Sequence, residues 1–207
     1  MPLHYCGLSK RNDKRREVMK LLCGAEGETG PHINAQDEDG RPPIFDFLDD
    51  PDSVQHLIDH GANLTLLDHN GRSLLHHICI QNEPESLALL LAQRNTSDIL
   101  SLVTLKSEEG NTPLIEAVRN GSADCAMILL ELKDVGDVVG QDGWAVAHHA
   151  AKLGDEDVLE AVLRHPSYAK GPYRTTDGKT VDEVAMDAGN WRGRNKDLVR
   201  KYSMVHK

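Results

Sequence analysis

Between positions 110 and 132 the apolar residues fall into two short helical stripes. Leu114, Ala117 and Val118 are three and four apart, which places them on one side of a helix. Thr112 is suited to cap that helix, and Pro113 fits its first turn. Asn120-Gly121 ends it. Ala126, Leu129 and Leu130 form the second stripe, which predicts a longer helix over 123–132 with these three facing inward. A loop then leads to Gln141-Asp142-Gly143. The predicted unit is a turn, a short helix, a break, a longer helix and a loop.

The same unit recurs. Its anchoring glycines are Gly40, Gly71, Gly110 and Gly143, with a worn copy at Gly178, at intervals of 31, 39, 33 and 35 residues. The copy after Gly40 is about two residues short at the break between its helices, where Pro51 sits. The copy after Gly178 should place its second helix over 196–202. The long interval after Gly71 implies an insertion at about 94–105, and an extra helical turn there would bury Ile99, Leu100, Leu102 and Val103. A unit of this length cannot cover its own apolar face, so copies stack and each touches mainly its neighbours. The expected organisation is one domain over 1–207, with copies at about 1–36, 37–67, 68–106, 107–139, 140–174 and a cap at 175–207. The segment Met1-Pro2-Leu3-His4-Tyr5-Cys6 matches a helix start without its turn. It reads either as a degenerate cap or as a chain that begins inside a longer protein.

These residues resemble the ankyrin repeat. Gly110-Asn111-Thr112-Pro113-Leu114 matches the family's opening, and Gly71-Arg72-Ser73-Leu74-Leu75-His76 matches it with Leu for Pro. His148-His149-Ala150-Ala151 matches its H-x-A-A stretch. Leu57-Ile58-Asp59-His60-Gly61-Ala62-Asn63 matches the end of the second helix. Departures are Pro42-Pro43-Ile44-Phe45 in place of T-P-L-H, Ala145-Val146-Ala147 after Gly143, and Asp182 at a Leu position, so these copies should pack less uniformly. The resemblance implies an all-α solenoid of five to six stacked helix-turn-helix units with β-turn tips. It also implies a concave face of short helices and tips that grips a protein partner, and no catalysis. The implied contact positions flank each glycine and recur nine and ten residues after it. Carried over, they include Glu38, Asp39, Arg41, Asp49, Asp50, Arg72, Glu108, Glu109, Arg119, Asp142, Trp144 and Lys152. His4, His76 and His148 fill a slot that, in the family, braces neighbouring loops.

Composition agrees with a thin aliphatic core: hydrophobic residues are 39% and aromatics only 4%. The net charge of −10 is uneven, with +2 over 1–35, −16 over 36–169 and +4 over 170–207. An acidic body repels phosphate, which argues against nucleic acid. The acids Glu38, Asp39, Asp46, Asp49, Asp50 and Asp52 instead suggest a basic protein or peptide partner. Trp144, at a tip the family leaves in solvent, suggests a binding anchor; otherwise it folds onto the neighbouring turn. Trp191 in a short basic stretch is expected to seal the end of the stack. The four cysteines have no C-x-x-C spacing and lie in apolar helical stretches, as buried thiols do. H-E-x-x-H, G-x-S-x-G and a phosphate loop are absent, and His76-His77 and His148-His149 project about 100° apart on a helix and chelate poorly. No cofactor or metal is expected. No apolar run approaches the roughly 20 residues of a span, and no signal peptide opens the chain. The expectation is a soluble intracellular protein, monomeric in isolation.

Overall fold

The computed structural model describes residues 16, 17, 19, 23, 32–92, 97–135, 139, 140, 143–166, 168 and 174–203. Its frame is set by the turns. Asp37 accepts the backbone N–H of Asp39 and of Arg41 through Oδ1, at 2.9 and 2.8 Å. Its own N–H donates to the Arg41 carbonyl at 3.0 Å, and the Gly40 N–H returns to the Asp37 carbonyl at 3.0 Å. Asp68 repeats the arrangement with Asn70 and Arg72. Ser107, Gly140 and Thr175 take the same place in the later copies and keep the backbone part of it.

Adjacent turns are then joined tip to tip. The His69 N–H donates to the Asp39 carbonyl, and the Glu108 N–H to the Asn70 carbonyl, each at 2.9 Å. This joint explains the glycine at position 40. Gly40 has φ 80°, a region that costs other residues strain, and a Cβ there would lie 2.9 Å from the His69 nitrogen. Turn geometry and the approach of the next turn demand glycine together.

A 3-10 helix spans Pro43–Phe47, followed by α1 Pro51–Asp59, α2 Leu74–Gln81, α3 Pro84–Ala92, α4 Ser97–Val103, α5 Pro113–Arg119, α6 Ala123–Leu130, α7 Val146–Leu153, α8 Glu156–Arg164, α9 Val181–Asp187 and α10 Gly193–Ser203. They form two rows. The 3-10 helix, α2, α5, α7 and α9 pack in sequence as the inner row, and α1, α3, α6, α8 and α10 as the outer row. Between the rows lies one aliphatic slab containing Phe47, Leu57, Leu75, Ile78, Leu90, Ile115, Leu129, Val146 and Leu159, each at most 1% exposed. The all-α solenoid expected from the repeat is the fold observed.

Several details differ from expectation. The second helix of the Gly110 copy stops at Leu130, which is half-buried rather than fully inward. The last helix starts at Gly193, three residues before the expected 196. The insertion does form a helix, α4, and it packs on α3. Ile99, Leu102 and Val103 are buried by it, but Leu100 is 48% exposed because it lies on the opposite side of so short a helix. Residues 93–96 of the insertion, His4, Cys6 and the rest of the opening segment lie outside the described residues.

The irregular copies follow one local rule. The residue five after the glycine accepts the N–H of the residue two after it. His76 Nδ1 accepts from Ser73 at 3.1 Å, His148 Nδ1 from Ala145 at 3.0 Å, and Glu183 Oε2 from Thr180 at 2.8 Å. In the Gly40 copy the donor position is Pro42, which has no N–H, so Phe45 needs no acceptor and packs on His77 with ring centroids 4.7 Å apart. Thr112 works differently, its hydroxyl accepting the Ile115 N–H at 3.4 Å.

His76 also fixes a pH dependence. Its Nδ1 faces the Ser73 N–H, so the ring hydrogen is on Nε2 and is donated to the Asn111 carbonyl at 3.0 Å. Burial pushes its pKa down, more than the bond to Asn111 and the charge of Glu116 raise it. Burial likewise lowers His77, against the pull of Asp68. Both rings are therefore held neutral in the fold, while the unfolded chain gains protons near pH ~6.5. Stability from this source is complete above that pH and is lost as pH falls below it towards the folded values. Thermal melts between pH 7.5 and 5.5 should show a falling midpoint, and less of a fall in His76→Gln. A midpoint that stays flat in the wild type would contradict the neutral-imidazole geometry.

Candidate docking edge

The turn tips and inner helices present one continuous edge, and the charged residues on it divide into three zones. The first is acidic. Glu38, Asp39, Asp49 and Asp52 are exposed. Two arginines lie among them. Arg41 pairs with Asp37 at 3.0 Å and Asp39 at 3.2 Å, and Arg16 reaches Asp52 at 3.3 Å. Asp50 does not belong to this exposed set. It is 3% exposed, and its carboxylate receives both Arg16 Nε, at 2.6 Å, and Arg16 Nη2, together with the Ser53 hydroxyl at 2.6 Å. Burial alone would raise its pKa, but the hydrogen bonds from Arg16 and Ser53 outweigh that and hold it below the ordinary range. Asp50 thus ties residue 16 to the start of α1 and is held within the fold. Like-charge crowding at this end is visible in Glu83, whose carboxyl is pushed up by burial and then by Asp49 and Glu85.

The second zone is a ladder of opposite charges. Glu109 takes Arg72 at 2.9 Å on one oxygen and Arg119 at 3.0 Å on the other, joining the third copy's tip to the tip and inner helix of the fourth. Beneath it Glu116 is 2% exposed, accepting Asn111 Nδ2 at 2.9 Å and Asn120 Nδ2 at 3.1 Å. The sequence reading did not single out Glu116. Its signal was the pairing of a mid-helix glutamate with asparagines one and ten residues after the glycine. Glu108 remains exposed at its tip. Asp142 lies outside the described residues.

The third zone is aromatic and cationic. Trp144 is half-buried, which corrects the expectation of a fully solvated tip. The ring folds onto its own inner helix instead, 5.1 Å from His149 and 6.0 Å from His148 between centroids. Lys152 Nζ sits 5.3 Å above it, a cation–π contact. Helix periodicity causes this, since residues 148 and 149 and then 152 rise on one side of α7 directly after the tip. Trp144, His149, Lys152, Leu153 and Arg119 enclose an open groove of about 520 Å3.

His76 and His165 bond to the backbone of another element, His165 Nε2 reaching the Leu132 carbonyl at 2.8 Å, while His148 Nδ1 accepts the Ala145 N–H at the start of its own helix. Cys23, Cys79 and Cys125 are buried free thiols, and burial pushes the Cys79 thiol well up, away from reactivity. Among the described residues no group of three or more His, Cys, Asp or Glu is placed to hold a metal ion. No helix among them is long and apolar enough to cross a membrane. At the far end Trp191 is half-buried against the stack, with Arg200 5.9 Å from its ring.

Known proteins share this architecture. The B-cell lymphoma 3 protein homolog of Mus musculus is 28% identical over 165 residues, which is 79% of this chain and 36% of that protein. The tyrosine-protein kinase HTK16 of Hydra vulgaris is 33% identical over 117 residues, 56% of this chain and 15% of the kinase. The chain therefore spans about a third or less of these relatives. The crystal structure of the ankyrin repeat domain of Bcl-3 superposes with a TM-score of 0.73 at 21% identity, covering 99% of this chain and 85% of that one. The sequence profile of ankyrin repeats in three copies matches residues 44–137 and again 95–175. The tip-joined turns, the two helix rows and this match over most of the chain give one conclusion: the chain belongs to the ankyrin-repeat family.

Proposed function

We propose that this protein is a non-catalytic scaffold that binds a partner segment along the docking edge, with basic residues of the partner meeting the acidic zone. Ankyrin repeats are a protein-interaction module. The observation that carries the finer reading is the field of like charge at the second copy, where Glu38, Asp39, Asp49 and Asp52 are all exposed. Such crowding is relieved by a cationic ligand. Arg41 and Arg16 neutralise part of it, at Asp39 and Asp52.

The test uses a capped 12-residue peptide rich in Lys and Arg, and the triple variant Glu38→Lys, Asp39→Lys, Asp49→Lys. Asp50 is left intact because it is buried. Reversal of three charges should weaken binding by about tenfold or more, chiefly through a slower association rate, and flatten its salt dependence. Equal binding by the wild type and the triple variant would reject the acidic zone as the docking site. The match to a tyrosine-protein kinase, of which this chain covers 15%, favours a second reading, in which such a domain docks substrates or neighbouring domains within a larger enzyme.

A further inference from the structure

The groove at Trp144 has the opposite character to the acidic zone. Its lining brings together Arg119, Lys152 and His149 around one indole, with Leu153 beside it. Lys152 is exposed and touches no carboxylate among the described residues; its recorded contact is the Trp144 ring. Arg119 meets Glu109 and Glu116 through Nη1 alone, at 3.0 and 4.0 Å, so its Nε and Nη2 remain available. Leu153 is 46% exposed, one of the few large apolar side chains on the described surface. Gly121 lies close to it, at φ 76°, a backbone conformation that favours glycine.

We propose that this groove receives a segment of a protein partner in which an acidic side chain adjoins an aliphatic one. The carboxylate is matched to Lys152 and to the unused nitrogens of Arg119, a planar donor set suited to two-point contact. The aliphatic group covers Leu153, which is the exposed apolar side chain of the groove, beside the half-buried Trp144. A lysine or arginine of the partner is disfavoured here by the like charge of Lys152, while Arg119 already shares its charge with Glu109. Joined to the acidic zone three copies away, the groove gives the edge a polarity: a bound segment runs with its basic part on the second copy and its acidic part on the fifth. The proposal rests on the reading of this edge as a docking track, and it adds the partner's charge order and direction.

The experiment is a selection of random 12-residue peptides on the wild type, followed by titration of the enriched peptide against Lys152→Glu, Trp144→Ala and the Glu38/Asp39/Asp49 triple reversal. Binding is read from the anisotropy of a fluorescein-labelled peptide, which serves every variant, Trp144→Ala included. The expected consensus has Asp or Glu next to Leu, Ile, Met or an aromatic residue. The enriched peptide should lose tenfold or more on Lys152→Glu and on Trp144→Ala, and should keep its affinity for the triple reversal. Far-UV spectra of the variants confirm that each is folded. A selection without an acidic consensus, equal binding to Lys152→Glu, or tighter binding of a 12-nucleotide oligothymidine than of the peptide would overturn it. Loss on the triple reversal with no change on Lys152→Glu would also overturn it, while leaving the acidic zone standing. The converse pattern, with the basic peptide indifferent to the triple reversal, would remove the acidic zone and leave the groove.

Discussion

Phe47→Ala should lower the free energy of unfolding by about 4 kcal/mol, the range found when a large aromatic is deleted from a closed core. Phe47 is 0% exposed and is the bulkiest of the fully buried side chains. It sits on the 3-10 helix, which packs against both α1 and α2, at the joint between one copy and the next. Repeat arrays are held by such joints and by the stability of each unit. The loss should therefore be local at first. Hydrogen exchange should show protection falling at α1 and the Gly40 turn while α7 and α8 keep theirs, and denaturant curves should broaden as the array stops unfolding as one unit. A uniform shift of less than about 1 kcal/mol would mean that the second copy contributes little to the stack.

Gly40→Ala should cost about 3 kcal/mol, from a left-handed residue and a collision together. The comparison that isolates the collision is Gly178→Ala. Gly178 has φ 82°, close to the 80° of Gly40, but a Cβ there meets nothing within 4 Å. At Gly40 the Cβ would lie 2.6 Å from His69 Cδ2 and 2.9 Å from the His69 nitrogen, and the backbone atom cannot swing aside. Gly178→Ala should accordingly lose only the backbone cost of about 1 to 2 kcal/mol. Equal losses in the two variants, measured by denaturant titration, would show that the joint between tips yields without cost.

The features legible in the sequence were those written within one copy. Thr112, Pro113 and Gly110 act over a few residues, and their repetition in register made the two-row stack readable. Even the odd Pro42 and Phe45 obey a local rule, because a missing donor removes the need for an acceptor. Features that join distant positions were not legible. Asp50 stood at an expected contact position, yet Arg16, 34 residues earlier, binds it and buries it. Trp144 was recognisable as unusual, but its ring direction depends on a side-chain rotamer and on Lys152 one turn beyond His148. The charge count found an acidic middle and could not see that Glu109 is shared by two arginines. Sums over sequence hide pairing across copies.

The bonds joining neighbouring tips run from main-chain nitrogen to main-chain oxygen, His69 to Asp39 and Glu108 to Asn70. They make no demand on side-chain identity at any of those four positions. Mutation can therefore rewrite what the edge recognises while the joints stay as they are, so that lineages sharing this architecture are free to diverge in what they bind without passing through an unfolded intermediate sequence.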